Sequence, residues 1–522
     1  MKKQILGMDY GTTNSEASVI DDAGQPRPLK NSEGHYITPS CICFTPSGEI
    51  VVGQEAQNLS TAYPESYISE AKRLLGMTDS DGKPITVYVD KDGKHWTAEE
   101  CAALVIKKLK ADAEAISGSE FSSVLITVPA SFSEVQRQAV INAGRIAGFS
   151  DVEVMDEPSA AAYSYGVAKE SGTYLIYDLG GGTFDVTLVR VDSNANIEIL
   201  GTDGQTDLGG TDWSNVIAVR VQKEIDTLGI DKSVLEDPAI RYEIKDRSQK
   251  LKHTLSTRTE GQFNMMLGSK RVSFTYTRQE FEGASKDLCE HTMQLVSSTL
   301  VATSCPVADV DGAVLVGGGT RMPQIVDGLS ELLGKPVSMD EDPDLVVAKG
   351  AALSAAKQEQ SKGTKVLSLS GSEVKSLPGG KFSNCAAHDL GCKAFDANGT
   401  SEEFAVIIKK NTSLPATRTE TFKMKEIGQT AVSVSVYQGK EGSSLAQCLH
   451  IDDVLLDGLP SADANEERIV VEYGYSLDGI VHVTVTDKIS GKSRTADISH
   501  NLGMTAKEVK AAAAHLKKTK LS

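Results

Sequence analysis

The sequence predicts an α/β region, then an all-β sandwich, then one short helix. Short apolar runs alternate with helical patterns from residue 1 to about 357, which is typical of α/β folds. From residue 386 to 497, short strands of alternating polarity follow one another with turn residues between them, which is the pattern of a β-sandwich. The end of the chain contains one further helical segment.

Strands and helices follow each other closely in the α/β region. A first succession consists of strand 124–128, helix 134–148, strand 152–155 and helix 157–165. A second consists of helix 292–304, strand 312–316, three glycines at 317–319 and a helix that opens at Pro323. A helix-friendly stretch over 348–360 closes the region.

The β region has four runs that alternate apolar and polar residues. They cover residues 404–408, 431–437, 469–473 and 480–485, the last after a predicted turn at Asp478 and Gly479. Before them, residues 358–385 are rich in Gly and Ser and predict a linker, with one apolar run, VLSL, at 366–369. After them, Thr505 and Glu508 fit a capping box that opens a helix. The predicted segments are therefore 1–357, 358–385, 386–503 and 504–522.

Two distant stretches of the α/β region repeat one chemical pattern. In each, an apolar strand ends in an aspartate, Asp9 or Asp178, and a turn of Gly and Thr leads into a second strand. Glycines let backbone N–H groups approach an anion, Thr hydroxyls add donors, and the aspartate can hold Mg²⁺ through its waters. One such turn alone is most often structural. Two copies with the aspartate in register indicate a nucleotide-phosphate site.

Composition narrows the classes of function. A formal net charge of -18 and a pI of about 5.1 argue against nucleic acid and against an anionic membrane surface as partners. The eight cysteines show no C-x-x-C spacing, so reduced thiols are expected rather than disulfides or a zinc site. The apolar run at the N-terminus is too short for a signal peptide, and no run of about 18 apolar residues follows. We therefore expect a cytoplasmic protein.

Seven ordered motifs carry a resemblance to a known family. The seven lie at 9–13 (DYGTT), 71–76 (AKRLLG), 128–132 (VPASF), 156–162 (DEPSAAA), 178–185 (DLGGGTFD), 316–323 (VGGGTRMP) and 408–415 (IKKNTSLP), and an eighth segment, 436–439 (VYQG), accompanies the last of them. The sequence resembles the 70-kilodalton heat-shock chaperone family of the DnaK type from Ile5 to about Lys518. The resemblance implies an actin-like ATPase domain with two lobes around a nucleotide cleft. It also implies a peptide-binding β-sandwich and a helical lid that is reduced here to one truncated helix.

The resemblance implies roles for residues at the nucleotide site. Lys72 would orient the attacking water, although a lysine taken alone is most often solvated. The further catalytic residues would be Glu157, Asp185 and Thr183. Asp9 and Asp178 would hold Mg²⁺ through water. The residues implied to bind ATP or ADP are Gly11, Thr12, Thr13, Gly180, Gly181, Gly182, Gln249, Lys252, His253, Ser256, Gly317, Gly318, Arg321 and Asp344.

In the β-sandwich, the family register implies a pocket for one apolar side chain of an extended peptide. The residues implied to form it are Cys392, Phe422, Val432, Val434 and Ile469. Each of them is also a natural core residue of a sandwich, so both interpretations stay open at this point.

The chain departs from the family pattern at the base site and in the linker. His253 stands where the family usually has arginine, and Gln249 stands where it has glutamate. Because an unperturbed imidazole titrates near about pH 6.5, nucleotide binding is expected to be weaker or pH-sensitive. The acidic and leucine-rich linker of the family is missing, and the VLSL run at 366–369 is the candidate for its replacement.

Three functional hypotheses follow. The first is an ATP-dependent chaperone that binds extended hydrophobic segments of unfolded proteins, with a J-domain co-chaperone and a nucleotide exchange factor as partners. The second is a nucleotide-binding scaffold, or a specialised chaperone partner, with little ATP turnover. The third is a small-molecule kinase on the same ATPase fold, which the added sandwich and the lack of a second substrate motif disfavour.

Overall fold

The computed structural model describes most of the chain. The described residues are 2–80, 83–166, 171–337, 342–395, 401–461, 463, 466–476, 481–498, 503–519 and 521. The turn predicted at Asp478 and Gly479 lies outside them. Within these ranges, no helix is both long and apolar enough to cross a lipid bilayer.

The first unit of the α/β region is built around a six-stranded sheet. Its elements are β1 (Lys2–Lys3), β2 (Ile5–Tyr10), β3 (Asn14–Ile20), β4 (Pro26–Pro28), β5 (Thr38–Pro39), β6 (Cys41–Phe44), β7 (Ile50–Val52), α1 (Gln54–Leu59), β8 (Tyr67–Ser69), β9 (Thr86–Val89), β10 (His95–Thr97), α2 (Ala98–Ser117), β11 (Ser123–Val128), α3 (Glu134–Ile146), β12 (Asp151–Asp156) and α4 (Glu157–Gly166). The sheet has the order β12-β11-β2-β3-β4, and β5 also pairs with β3. Helices α2 and α3 open at capping boxes of Thr97 with Glu100 and of Ser133 with Gln136, which satisfy their first N–H groups.

The second unit is built around a five-stranded sheet of order β18-β13-β14-β15-β20. The elements of this part of the chain are β13 (Gly172–Leu179), β14 (Phe184–Val191), β15 (Ile197–Gln205), α5 (Gly210–Thr227), α6 (Pro238–Thr257), β16 (Glu260–Leu267), β17 (Lys270–Thr277), α7 (Arg278–Ala284), α8 (Lys286–Ala302), β18 (Gly312–Val316), α9 (Pro323–Leu333), α10 (Val346–Ser361), β19 (Lys365–Val366) and β20 (Phe382–Ser383). Of these, α10 and β19 contact the first unit. Short 3₁₀ turns at Ala71–Leu74 in the first unit and Gly318–Arg321 in the second border the site described below.

Helix α10 joins the two units. Its buried residues share one apolar core with β2, α4 and β13. The helix approaches α4 so closely that a Cβ on Gly350 would lie 1.7 Å from the Ala160 carbonyl oxygen. Likewise, a Cβ on Gly7 of β2 would lie 2.2 Å from the Ala352 nitrogen. Only glycine permits these two crossings, and they fix the ends of β2 and α4 relative to each other.

The described residues of the β region form eight strands. They are β21 (Asp389–Phe395), β22 (Glu402–Ile408), β23 (Ala416–Lys423), β24 (Val432–Gly439), β25 (Leu449–Leu456), β26 (Glu467–Tyr475), β27 (Val481–Asp487) and β28 (Ser493–Asp497). One antiparallel sheet has the order β22-β21-β24-β25 and the other β23-β26-β27-β28. Residues of both sheets share one apolar core. The Tyr473 hydroxyl donates to the Gly391 carbonyl at 2.7 Å and links the sheets through this core.

The segment predicted as a linker lies against both α/β units. Helix α10 continues past the predicted boundary at 357 because Glu359 is still buried and pairs with Lys3. Strand β19 then pairs with β1, so the VLSL run at 366–369 lies on the first unit and does not lead into the sandwich. The expectation for this run was wrong, because backbone pairing with residues 2–3 holds it there. The short strand that precedes the sandwich is β20, which pairs with β15.

The sandwich is hydrogen-bonded to both α/β units. Asn384 donates to Asp156 at 2.9 Å, and the Tyr475 hydroxyl donates to Glu134 at 3.3 Å, both in the first unit. An ion pair of 2.7 Å joins Lys410 to Asp203 of the second unit. These contacts are polar, so they resemble an interface between domains more than the inside of one core.

The last helix, α11 (Ala506–Lys518), packs on the first unit, away from the sandwich core. Val509, Ala512 and Leu516 are buried in the apolar core that also contains α2 and α3. The Lys107 ammonium donates to the carbonyls of Leu516 and Thr519 at 2.6 and 2.9 Å and so caps the end of the helix.

This packing predicts that α11 stabilises the α/β region. Leu516 is 1% exposed, so Leu516→Ala should lower the free energy of unfolding by about 2–5 kcal/mol through lost burial and a residual cavity. The measurement is urea unfolding followed by circular dichroism. Lys517→Ala, on the exposed side of the same helix, is the matched control and should change little. Equal midpoints for the two variants would contradict the assigned packing.

Candidate functional site

The turns of the two predicted phosphate hairpins meet in the structure. The β2–β3 turn carries Thr12 and Thr13, and the β13–β14 turn carries Gly181 and Gly182. A Cβ on Gly181 would lie 2.5 Å from the Thr13 side chain, and one on Gly182 would lie 2.7 Å from the Thr12 side chain. The turns therefore face each other with no room for a side chain on these glycines.

A narrow cavity of about 60 Å³ lies where these turns meet. The predicted site residues that line it are Asp9, Gly11, Thr12, Thr13, Lys72, Glu157, Asp178, Gly180, Gly181, Thr183, Gly317, Gly318 and Asp344. Asn14, Glu16, Val316, Pro343 and Val347 complete the lining. The tertiary structure thus brings together residues from five separate sequence motifs. Gly182 and Asp185 lie beside the cavity and not in its lining.

A wider cavity of about 560 Å³ continues from the narrow one. Thr13, Gly180, Gly181, Gly318 and Asp344 line both, so the two form one cleft. The wider part adds the predicted residues Gln249, Lys252, His253, Ser256 and Arg321. Its volume is within the range of small-molecule sites, about 300–1,000 Å³.

Lys72 is buried at the inner end of the cleft. Its side chain lies in the 3₁₀ turn Ala71–Leu74 and is 2% exposed. The ammonium lies 2.6 Å from a Glu157 carboxylate oxygen and 5.7 Å from the ring centres of Tyr10 and Phe132. Burial on this scale excludes the alternative of a solvated surface lysine.

Several buried carboxyl groups surround this one lysine. Burial raises the pKa of Glu157, of Asp178 and of Asp9, while Lys72 opposes the shift. Burial also raises the pKa of Asp185 to about 7. One oxygen of Asp185, Oδ2, is buried without a hydrogen-bond partner among the described residues. The cluster therefore carries more negative charge than Lys72 can balance.

Such a cluster is suited to a hard divalent cation held with phosphate oxygens. Among the residues that the structure describes, no three His, Cys, Asp or Glu side chains converge closely enough to hold a metal ion by themselves. A cation here would be held through its waters, as expected for Asp9 and Asp178. The Thr127 hydroxyl donates to Asp9 at 2.8 Å and fixes the orientation of its carboxylate.

The wider cavity has its own buried cation. The Lys252 ammonium donates to the Gly210 carbonyl at 2.5 Å, and burial lowers its pKa to about 8. Burial, with repulsion from Lys252 and Arg321, lowers the pKa of His253 to about 4. The expected pH sensitivity near 6.5 was therefore wrong, because desolvation keeps this imidazole neutral across the neutral range. Arg321 is held by Asp342 and Asp344, each at 2.7 Å.

Further contacts join the two units beside the cleft. The sequence did not suggest them. Arg73 donates to the Gly182 carbonyl at 3.0 Å and to Asp212 at 3.2 Å. Glu70 pairs with Lys245 at 2.8 Å. Glu70 and Arg73 lie within three residues of Lys72 in the sequence, and Arg73 also belongs to the 71–76 motif (AKRLLG).

A comparison with family models shows to which protein family the chain belongs. The model described as "Hsp70 protein" matches residues 5–521, nearly the whole length. The chain belongs to the Hsp70 family. Members of this family are chaperones and ATPases that generally bind ATP or ADP with Mg²⁺.

In this Hsp70 protein, three of the five implied peptide-pocket residues belong to the sandwich core and the other two pack against it. Cys392, Val434 and Ile469 are buried, whereas Phe422 and Val432 are half-buried. Phe422 lies directly across from Ile469 in the β23–β26 pair. Burial favours the core interpretation for the three buried residues, and leaves Phe422 and Val432 as those that a ligand reaches most easily.

The neutral imidazole of His253 leads to a prediction. Adenosine binding to this Hsp70 protein should change with pH in the same way for the wild type and for His253→Asn between about pH 5.5 and about pH 7. An imidazole with an ordinary pKa would become charged over this range, whereas His253, with a pKa of about 4, does not. Isothermal calorimetry with adenosine, which carries no phosphate, measures this. A loss of affinity at the lower pH in the wild type alone would contradict the assignment.

Proposed function

We propose that the chain is an ATP-dependent chaperone of the Hsp70 family. Residues 1–357 would be an actin-like, Mg²⁺-dependent ATPase domain, joined by 358–385 to a peptide-binding domain, 386–503, with the helix of 504–522 at the end. The observation that carries the proposal is the buried Lys72–Glu157 pair at the meeting point of two Asp-Gly-Thr turns. ATP hydrolysis would control the affinity for extended hydrophobic segments of unfolded proteins.

Different residues of the cleft would have different roles in phosphoryl transfer. This reaction depends mainly on positioning and on compensation of charge. Backbone N–H groups of Gly11 and Gly181, with the hydroxyls of Thr12 and Thr13, would bind the phosphates, whereas the Gly180 N–H donates to the Thr183 carbonyl at 3.1 Å. Asp9 and Asp178 would hold Mg²⁺ through its waters, and the cation would supply positive charge that offsets the charge of the phosphates. The wider cavity would take the base and ribose against the face of α6 that contains Gln249, His253 and Ser256.

Lys72 and two carboxyl groups would act on the attacking water. The Lys72 ammonium would orient this water and compensate charge in the transition state. Glu157 holds the lysine in place at 2.6 Å. Asp185 has a pKa of about 7 and a free oxygen, Oδ2, so it can accept a hydrogen bond or a proton from water near neutral pH. Thr183, in the lining of the cavity, adds a hydroxyl donor.

Removal of the lysine tests the catalytic part. Lys72→Ala should lower single-turnover ATP hydrolysis by about 100-fold or more, because the lost donor acts on the transition state. ATP binding, measured by calorimetry, should remain detectable, because Lys72 does not line the wider cavity. Lys250→Ala, at an exposed position of α6, is the control and should hydrolyse ATP normally. Wild-type turnover in Lys72→Ala would refute this role.

The contacts of the sandwich support a coupling between hydrolysis and peptide binding. Asp156 directly precedes Glu157 in the chain and is hydrogen-bonded to Asn384 at 2.9 Å. The same carboxylate also forms a buried ion pair with Arg137. A shift of Glu157 during the reaction would therefore reach the segment that precedes the sandwich through one peptide bond and one hydrogen bond.

A nucleotide-binding scaffold with little turnover is the second candidate. Three of the five implied pocket residues are buried in the core, which favours a sandwich that does not open for peptides. Single-turnover hydrolysis with and without an unfolded peptide distinguishes the two candidates, because only the chaperone should respond to the peptide. A J-domain co-chaperone, a nucleotide exchange factor and a cytoplasmic location belong to the chaperone proposal.

Peptide kinetics test the chaperone directly. In the ADP state, a fluorescent leucine-rich peptide should associate fast and dissociate fast, because α11 packs on α2 and α3 and does not cover the sandwich. ATP should then change the affinity only modestly. Burying a leucine yields about 1.5–3 kcal/mol, whereas micromolar affinity needs about 8 kcal/mol, so backbone contacts must supply most of the rest. Stopped-flow fluorescence measures both rates.

Two substitutions on β23 locate the peptide site. Phe422→Ala should speed dissociation, because it removes the half-buried ring, whereas Thr419→Ala, at an exposed position of the same strand, should not. Dissociation over hours would contradict the expected fast release. No binding at all would favour the scaffold.

A further inference from the structure

Glu16 is a buried carboxyl group to which neither the motifs nor the reaction assigns a role. It lies on β3 directly across from Asp9 of β2 in the antiparallel pair. Residues opposite each other in such a pair project to the same face, with Cβ atoms about 4.5–5.5 Å apart. Glu16 is 3% exposed and lines the narrow cavity together with Asp9, Lys72 and Asp178. Its carboxyl group is therefore inside the phosphate end of the cleft.

Glu16 has no partner that balances its charge. Within the described part of the chain, no lysine, arginine or histidine forms an ion pair with it. The ammonium group that lines the same cavity, that of Lys72, is engaged by Glu157 at 2.6 Å. Among the described residues, the carboxyl group of Asp9 lies within hydrogen-bonding reach of Glu16. Two acidic groups in contact need either a cation or a shared proton between them.

We propose that Glu16 is an additional residue of the divalent cation site, where it accepts hydrogen bonds from the waters of the cation beside Asp9. The inference rests on the proposed function, because it takes the cation to be bound together with ADP or ATP. Carboxylates that hold the waters or ligands of a metal ion typically change its affinity by about 10–100-fold. Glu16 and Asp9 form a pair on one sheet face, opposite Asp178 on the other hairpin, and the cation would lie between the two hairpins.

The test compares the effect of Mg²⁺ on ADP binding in the wild type and in Glu16→Gln. Calorimetry gives the ADP dissociation constant in excess EDTA and in excess Mg²⁺, and the ratio of the two measures the coupling between cation and nucleotide. This ratio should fall by about tenfold in Glu16→Gln. Without Mg²⁺, the variant should bind ADP at least as tightly as the wild type, because it has lost a negative charge near the phosphates.

The choice of glutamine makes the experiment decisive. Its amide has the shape of a protonated glutamate and can still donate to Asp9. If Glu16 is only a neutral acid bonded to Asp9, Glu16→Gln should keep the wild-type ratio, and this outcome would overturn the inference. Glu16→Ser, a second neutral variant, should show the same loss and replaces the first if glutamine prevents folding.

Two controls separate the possible failures. Glu99→Gln makes the same change at another buried glutamate, which lies on α2 outside the cavity, and should leave the ratio unchanged. If Mg²⁺ does not tighten ADP binding in the wild type, the cation part of the proposed function fails. If Mg²⁺ tightens ADP binding equally in the wild type and in Glu16→Gln, only the role of Glu16 fails.

Discussion

The ion pair of Lys72 with Glu157 lies in the middle of a buried cluster that has too much negative charge. Each charged group taken out of water costs several kcal/mol unless other groups compensate for it. Around Lys72, the lysine and a few hydrogen bonds compensate the carboxyl groups of Asp9, Asp178 and Asp185 only in part, and burial raises the pKa of each. A bound cation, protons, or both must supply the balance. The cleft therefore holds buried carboxyl groups whose charge is balanced only when a ligand or protons bind.

The positions of these carboxyl groups depend on close contacts of the backbone. The hairpin turns meet only because Gly181 and Gly182 leave room for the side chains of Thr12 and Thr13. Behind them, α10 crosses β2 at Gly7 and α4 at Gly350, at distances that exclude a Cβ atom. As a result, the strand that ends near Asp9 and the helix that begins with Glu157 are anchored on one helix. The position of the charges in the cleft is thus set by packing in the core.

The parts of the chain that follow the α/β region are attached to it in two different ways. Among the described residues, the sandwich is held by hydrogen bonds such as that of Asn384 and by the ion pair of Lys410. Helix α11 is held by apolar side chains that join the core of the first unit. Polar interfaces of this kind are typical of domains that move relative to each other, whereas burial of apolar surface favours a lasting attachment. The attachment of the sandwich is thus the more polar of the two.

The sequence by itself determined the order of the elements and the types of residue in the cleft. The predicted strand 124–128 and helix 134–148 correspond to β11 and α3, and the capping box of Thr505 and Glu508 opens α11. Periodicity, caps and Gly-Thr turns are local signals, so they are readable from one stretch of chain. The seven motifs also identified the family that the comparison then established.

Only the tertiary structure decided what depends on contacts between distant residues. The burial of Lys72, the neutral state of His253 and the position of Glu16 across from Asp9 all arise from desolvation and neighbours that no local pattern encodes. For the same reason, the sequence could not tell that the run at 366–369 pairs with the first unit, or that Leu516 packs on it. Alternating patterns predicted the strands of the sandwich. Whether Val434 faces a ligand or the core depends on three-dimensional packing, and in the structure this side chain is buried.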